Sequence, residues 1–343
     1  MGKLLENTVY VSDIKKVLDW LNLSDLKEKT ILVTGGLGLI CSSVVDILQS
    51  SGLNIRIKVA DINEPFFETR YGGFQDIEYV KYNALEPLNF DFKADYIIHG
   101  AGLASPELYT TKPVETMLSN YLGVLNLLEY AKKVETKRML YISSSEVYGN
   151  KLSDDPFIED TFGTSSINNI RASYSEAKRA SEVLCRSFSS EYGIETVMVR
   201  PGHIFGPTAS PRDKRISSDF AYKASRGEKL EMKSSGLQKR SYCYSLDCAA
   251  AILIALLNGV SGESYNIGHD EITTIRRMSE ILAEAGNVEL NVANPTNEEL
   301  KAFNPMNNSS LNNEKIKKIG YRDTFSVKEG LSHTVQILRE ISR

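Results

Sequence analysis

Thr30-Ile-Leu-Val-Thr-Gly-Gly-Leu-Gly-Leu-Ile-Cys41 opens with a short apolar run, crosses three glycines and enters a helical pattern over Leu39–Ser50. A glycine-rich turn between a strand and a helix leaves backbone N–H groups exposed at the helix N-terminus. The partial positive charge there suits an anion such as a pyrophosphate. Glycines alone carry little weight; the strand–turn–helix context carries the reading. The spacing is Gly35, Gly38 and position 41, and Cys41 stands where a third glycine usually allows close helix–strand packing. A small thiol still fits. Asp61 closes the next apolar run, IKVAD, about 20 residues past the loop, where a carboxylate accepts from both ribose hydroxyls and repels a 2′-phosphate. Ile62 and Asn63 follow with no arginine, so the pattern favours NAD over NADP. The alternative for Asp61 is an ordinary turn cap.

Outward from this loop, strands and helices alternate. Strands are expected over Asn54–Ala60, Ile77–Tyr82, Tyr96–His99, Arg138–Ser143 and Glu195–Arg200, with long helices over Val114–Lys133 and Ala172–Glu191. Alternation of this kind implies an α/β fold with a Rossmann-type, doubly wound parallel sheet covered on both faces. After Gly206 the pattern changes. Pro207–Arg215 is a polar loop, and its basic stretch Pro211–Arg215 is either solvated or close to an anionic ligand. Tyr242–Asn258 and Tyr265–Gly268 are expected to return to the main sheet. The rest forms a smaller, discontinuous C-terminal substrate lobe. The expected division is a cofactor domain of residues 30–206 with 240–268, and a substrate lobe of 207–239 with 269–343. Residues 1–29 read as a helical extension, with Ser12 as N-cap and Ile14, Val17, Leu18 and Leu21 forming an apolar stripe.

At 343 residues the chain suits about two lobes. Its 42% hydrophobic and 24% charged residues are the ordinary globular balance. A net charge of −4 offers no footprint for nucleic acid or an anionic membrane. No run approaches the roughly 20 apolar residues of a membrane span, and MGKLLENTVYVSDIKK lacks a signal-peptide layout, so a cytoplasmic location is expected. Cys41, Cys185, Cys243 and Cys248 have no paired metal spacing and read as reduced packing residues. His269 and His333 lie apart, and no metal site is expected.

Tyr174 and Lys178 stand four apart inside RASYSEAKRASEVLC, so they share one helical face. A nearby ammonium favours a phenolate, and such a tyrosine can take a proton from an alcohol whose carbon gives up hydride. The strand Arg138–Ser143 runs into Ser143-Ser144-Ser145-Glu146, and strand C-termini are where open α/β sheets place ligand chemistry.

Together TGGLGLI, Asp61, SSSEVYG, Tyr174-x-x-x-Lys178 and RPGHIFGP resemble the extended short-chain dehydrogenases. More narrowly they resemble the NAD-dependent nucleotide-sugar epimerase/dehydratase family, over about residues 30–335. The resemblance implies bound NAD, a nucleotide-diphosphate sugar as substrate, and a homodimer pairing the helices Val114–Lys133 and Ala172–Glu191. It implies that Ser144 hydrogen-bonds the reacting hydroxyl, that Tyr174 is the base, and that Lys178 holds the ribose and lowers the tyrosine pKa. Cofactor contacts are implied at Gly35, Gly38, Leu39 and Ile40 in the loop, and at Asp61 and Asn63 after the second strand. Others are implied at Asn83 and Ala84 by the adenine, where Asn83 replaces the usual aspartate. Ala101, in the strand-end stretch His99-Gly100-Ala101, and the helix asparagine Asn120 complete this set. On the substrate side it implies Ser105, His203 and Arg240, the last in RSYCYSLD with Asp247, where the arginine usually meets the diphosphate.

The resemblance also ranks the reactions. The 4,6-dehydratases carry Asp-Glu at the positions of Ser145 and Glu146, and a serine is a poor proton donor to a leaving hydroxyl. Simple 4-epimerases need neither position acidic. UDP-glucuronate decarboxylases carry Ser-Glu and a segment similar to Ala104-Ser105-Pro106-Glu107-Leu108-Tyr109, so decarboxylation ranks first. Two departures cut against it: Asn308 falls where those enzymes have an arginine, and His203 stands where an asparagine usually meets substrate. A non-catalytic NAD sensor is the rival of another class. It has no use for Ser144, Tyr174 and Lys178.

Overall fold

The computed structural model describes residues 4–151, 153–293 and 306–342. Seven strands form the central sheet: β1 (Thr30–Thr34), β2 (Arg56–Asp61), β3 (Ile77–Lys81), β4 (Tyr96–His99), β5 (Arg138–Ile142), β6 (Thr196–Pro201) and β7 (Ser264–Ile267). Their order is β7-β6-β5-β4-β1-β2-β3, and all neighbours are parallel. Successive side chains of a strand face opposite ways, and the core divides accordingly. Ile31, Val33, Ile57, Val59, Leu140 and Ile142 enter one apolar cluster, while Leu32, Ala60, Ile97, Met139 and Tyr141 enter the other. The first is covered by helices α2 (Leu39–Ser50) and α7 (Ser245–Asn258), the second by α4 (Pro113–Val134) and α5 (Ala172–Tyr192). Among the described residues the other helices of eight residues or more are α1 (Thr8–Leu18), α3 (Glu64–Tyr71), α6 (Ile216–Ser225), α8 (Ile275–Gly286) and α9 (Val327–Ile341), of which α6, α8 and α9 pack together. The result is the expected doubly wound α/β sheet. Among the described residues no helix is long and apolar enough to cross a membrane.

Three local expectations are corrected. Among the described residues after 240, only Ser264–Ile267 joins the sheet as a strand. Tyr242–Tyr244 instead pairs with His203–Phe205 outside it, beyond Gly202, whose N–H still donates to the Ile267 carbonyl of β7. Asn54 is not strand: its φ of 53° makes a turn before β2. Ser12 is not an N-cap, since Asn7 accepts from the Val9 and Tyr10 N–H groups and the helix starts at Thr8.

The N-terminal segment docks by polar ties as well as its apolar stripe. Tyr10 Oη donates to Asp46 of α2 at 2.7 Å. Asp13, buried, receives Tyr244 Oη at 3.2 Å and meets His333 Nδ1 of α9 at 2.9 Å. The hydrogen bond to Asp13 raises the His333 pKa above its ordinary value, although burial opposes it. A raised folded pKa gives stability that is full below about pH 6.5 and lost as pH rises through the folded value. The stability difference between the parent and His333→Gln, read by urea unfolding, is therefore expected to shrink from pH 6 to pH 8. An equal difference at both values rules out a charged His333–Asp13 pair.

Candidate active site

Gly35 sits at φ 66°, and a Cβ there would lie 2.8 Å from the Ala101 nitrogen, so the loop between β1 and α2 lies against the end of β4. The cysteine at the third glycine position is accommodated from across the sheet: a Cβ on Gly100 would lie 2.3 Å from Cys41 Sγ. Gly38 caps α2 with no side-chain hydrogen bond, leaving that helix end, with Leu39 and Ile40 in its first turn, to an anion. The Cβ-free cradle and the uncapped terminus fit a pyrophosphate. Asp61 Oδ2 accepts from the Leu37 N–H at 3.2 Å, and Oδ1 accepts from Ile62 and Asn63. Burial raises its pKa and these three bonds oppose the rise. The carboxylate thus ties the glycine loop to the end of β2.

Asn63 caps α3 through the Phe66 N–H, and Asn83 caps its own turn through the Leu85 N–H, with Ala84 buried beside it. Asn120 donates to the Leu103 and Thr116 carbonyls at 3.0 and 2.8 Å, while its buried Oδ1 has no partner among the described residues. It braces the loop after Ala101 and keeps an acceptor open.

The reacting side is built where β5 ends and α5 begins. Ser144 caps a short turn, Ser145–Tyr148, by accepting from the Glu146 N–H at 3.2 Å. Tyr174, buried on α5, is hydrogen-bonded by the side chains of Ser144 and Tyr109. The Tyr109 and Tyr174 rings stack at 4.3 Å and 8°. Burial, then the Glu146 charge, push the Tyr174 hydroxyl up to about 12, and the bonds from Ser144 and Tyr109 oppose them. Lys178, one turn on, donates to the Ile142 carbonyl at 2.8 Å. Burial brings its ammonium down to about 7. In the protein alone, the bonds from Ser144 and Tyr109, and then the Arg215 charge, act for the Tyr174 phenolate.

Glu146 is gripped by both oxygens: Arg171 Nη1 and Nη2 donate to them, each at 3.1 Å. The Arg171 guanidinium also lies 5.5 Å over the Tyr109 ring. Sequence reasoning singled out neither Arg171 nor Tyr109. The available signal was position, because Arg171 precedes Tyr174 by three and Tyr109 ends the noted 104–109 segment. Ser105 lies at the start of that segment, where its carbonyl accepts from the Leu108 N–H at 2.9 Å.

On the far side, His203 stands edge-on to Tyr242 and its buried Nδ1 has no partner among the described residues. Burial first, then Arg240 and Arg215, push its pKa down to about 3, so it is a neutral donor or acceptor. Arg240 is 4% exposed and donates to the Lys239 and Met306 carbonyls at 2.8 and 3.4 Å. No carboxylate pairs with it among the described residues, and burial lowers its pKa. A buried cation without a counter-charge is costly and is ready for an anion. Asp247 is not part of this site, because it accepts from the Thr324 and Phe325 N–H groups ahead of α9. Asn308 is spent internally: Nδ2 donates to the Asp154 carbonyl at 2.5 Å, and Oδ1 accepts from Ser310 N and Oγ. Arg215, in the basic loop, pairs with Asp213, yet its charge reaches both Tyr174 and His203.

Fold and site define an α/β enzyme with a nucleotide cradle and a tyrosine–lysine–serine set at the carboxyl edge of its sheet. The chain matches the model of the NAD dependent epimerase/dehydratase family over residues 31–268. It is 35% identical over 260 residues to UDP-glucuronic acid decarboxylase 6 of Arabidopsis thaliana, covering 74% of this chain and 73% of that protein. It is 29% identical over 328 residues to UDP-glucuronic acid decarboxylase 1 of Xenopus tropicalis, covering 93% and 74%. Among solved structures it resembles the UDP-glucose 4-epimerase of Thermotoga maritima with UDP-glucose, at a TM-score of 0.77, 25% identity and coverage of 92% and 100%. It also resembles in fold the dTDP-glucose 4,6-dehydratase of Bacillus anthracis with NAD, at 0.74, 22%, 91% and 97%. The chain belongs to the NAD dependent epimerase/dehydratase family and is an NAD-dependent enzyme.

Proposed function

We propose that this enzyme oxidises a nucleotide-diphosphate sugar transiently at C4, and that its reaction is the decarboxylation of UDP-glucuronate. The observation that carries this reading is Glu146, fixed by Arg171 and acting electrostatically on Tyr174. A 4-epimerase has no use for a carboxylate held there. The names of the relatives with 73–74% of their length covered point the same way.

On this reading the glycine loop, Asp61, Asn83, Ala101, Asn120 and Lys178 hold NAD, which when bound takes hydride from C4 and later returns it. Tyr174 receives the proton of the C4 hydroxyl, and Ser144 donates a hydrogen bond to that oxygen. Oxidation at C4 makes the carboxylate β to a ketone. The bond from C5 to the carboxyl carbon then breaks, CO2 leaves, and the electron pair goes to the C4 oxygen as an enolate. The enolate then takes a solvent-derived proton at C5, on the side where Glu146 stands to relay it, and Tyr174 returns its proton to the C4 oxygen as the ketone is reduced. Arg240 and His203 meet the diphosphate and sugar. Asn308 does not take the place of the missing arginine, because its amide is already bonded; Arg171 is the cation beside Tyr109 and Glu146.

The described parts of 207–239 and 269–343 form the substrate lobe against residues 30–206 and 240–268. A homodimer through α4 and α5 accounts for Val114, Met117 and Val183, apolar and 65, 46 and 60% exposed on those paired helices.

The test is mass spectrometry of the purified protein incubated with UDP-glucuronate and NAD. The expected product is a UDP-pentose formed with loss of CO2. An unchanged mass with a new epimer by NMR overturns decarboxylation in favour of 4-epimerisation, which the bonded Asn308 favours as second reading.

A further inference from the structure

The face of α5 that carries Tyr174 and Lys178 continues one turn further to Glu182, which is 3% exposed. Arg200, on β6, grips this carboxylate, with Nε on Oε1 at 2.9 Å and Nη2 on Oε2 at 2.7 Å. Ser264 of β7 donates to Oε2 at 3.1 Å, and Arg186 donates at 3.3 Å. Arg200 continues outward: its Nη1 donates to Tyr148 Oη at 3.0 Å and to the Glu159 carbonyl at 2.8 Å. Tyr148 Oη then donates to Asn266 Oδ1 of β7 at 2.5 Å.

One of these arms matters for the chemistry. Tyr148 closes the short turn that begins at Ser145. The far end of the segment bearing Ser144, Ser145 and Glu146 is therefore tied through Arg200 to a carboxylate on the helix that bears Tyr174 and Lys178. We propose that Glu182 and Arg200 are a positioning pair that sets the distance between the Ser144–Glu146 turn and Tyr174. The inference rests on the reading of Ser144, Glu146 and Tyr174 as the reacting groups.

An ordinary buried ion pair is the competing explanation, and the two differ in what replaces it. Apolar residues of similar volume often replace a buried pair at little cost in stability. Such residues cannot hold Tyr148. The double variant Glu182→Leu/Arg200→Met is expected to keep a Tm within about 5 °C of the parent. Its kcat on UDP-glucuronate is expected to fall by about 10- to 100-fold, as for a misplaced reacting group, while the KM for NAD stays within about twofold. Tyr148→Phe cuts one arm and leaves no buried charge, so it folds even if the double variant does not. It is expected to lower kcat about tenfold at parental Tm. Amide hydrogen exchange over residues 143–149 is expected to quicken in both variants, and this readout is independent of turnover.

Parental kcat with parental exchange over 143–149, in either variant that folds, overturns the inference. Failure of the underlying reading shows separately. If the parent does not turn over UDP-glucuronate the substrate reading is lost, and if Tyr174→Phe retains turnover the assignment of the base is lost; exchange over 143–149 still decides whether the pair locks the turn.

Discussion

Tyr174→Phe is expected to lower turnover by about 10²- to 10⁴-fold, the usual worth of a positioned acid–base group, with little change in NAD affinity or Tm. The substitution removes one oxygen and leaves the ring. Packing is kept, because the Tyr109 ring stacks on the ring of Tyr174 at 4.3 Å and phenylalanine fills the same volume. The lost contacts are the bonds with the Ser144 and Tyr109 hydroxyls. The cofactor cradle is elsewhere, at Gly35, Gly38 and Asp61, and Lys178 keeps its bond to the Ile142 carbonyl. Single-turnover kinetics with UDP-glucuronate, calorimetric NAD binding and thermal unfolding together read the result. Turnover within tenfold of the parent would put the base on another residue. Loss of NAD binding would mean that the phenol is a cofactor ligand first.

The parallel sheet was legible because its strands alternate between two buried faces. Ile31 and Val33 enter one cluster and Leu32 the other, and the glycine turn punctuates them. The Tyr174–Lys178 pairing was legible because four residues make one helical turn. What the sequence did not disclose depended on groups remote along the chain. Cys41 in the third glycine position found its space at Gly100, 59 residues on. The direction of the Lys178 shift depended on complete burial, which overrides the neighbouring charges that a linear reading counts. Asn308 aligns with a substrate-binding position, yet its amide is consumed by Asp154 and Ser310. Asp247, read beside Arg240, faces the other way because helix α7 begins between them. The grip of Arg171 on Glu146 joins residues 25 apart across a loop that has no periodicity to read.

Glu146→Gln is expected to separate the lyase from the epimerase, lowering turnover by about 10²- to 10⁴-fold if the carboxylate exchanges protons at C5 and leaving a 4-epimerase within a few-fold of its parent. The fold tolerates the change. Arg171 loses its counter-charge, but its side chain is 42% exposed and that of Glu146 31%, and a pair so open to water contributes about 0–1 kcal/mol. The glutamine oxygen still accepts one of the two guanidinium bonds. The effect on Tyr174 works in the opposite direction from the expected loss. The Glu146 charge is the second cause of its raised pKa, so neutralising it brings the phenolate closer. A variant with weak turnover therefore cannot owe its weakness to a tyrosine that is harder to ionise. The loss must lie in what Glu146 does to the substrate. Product formation followed by NMR in deuterated water makes the distinction directly. A crippled enzyme whose residual product carries deuterium at C5 without the stereospecificity of the parent assigns the carboxylate to that carbon. Undiminished or faster turnover leaves Glu146 as an electrostatic brake on Tyr174 and removes the strongest local argument for decarboxylation.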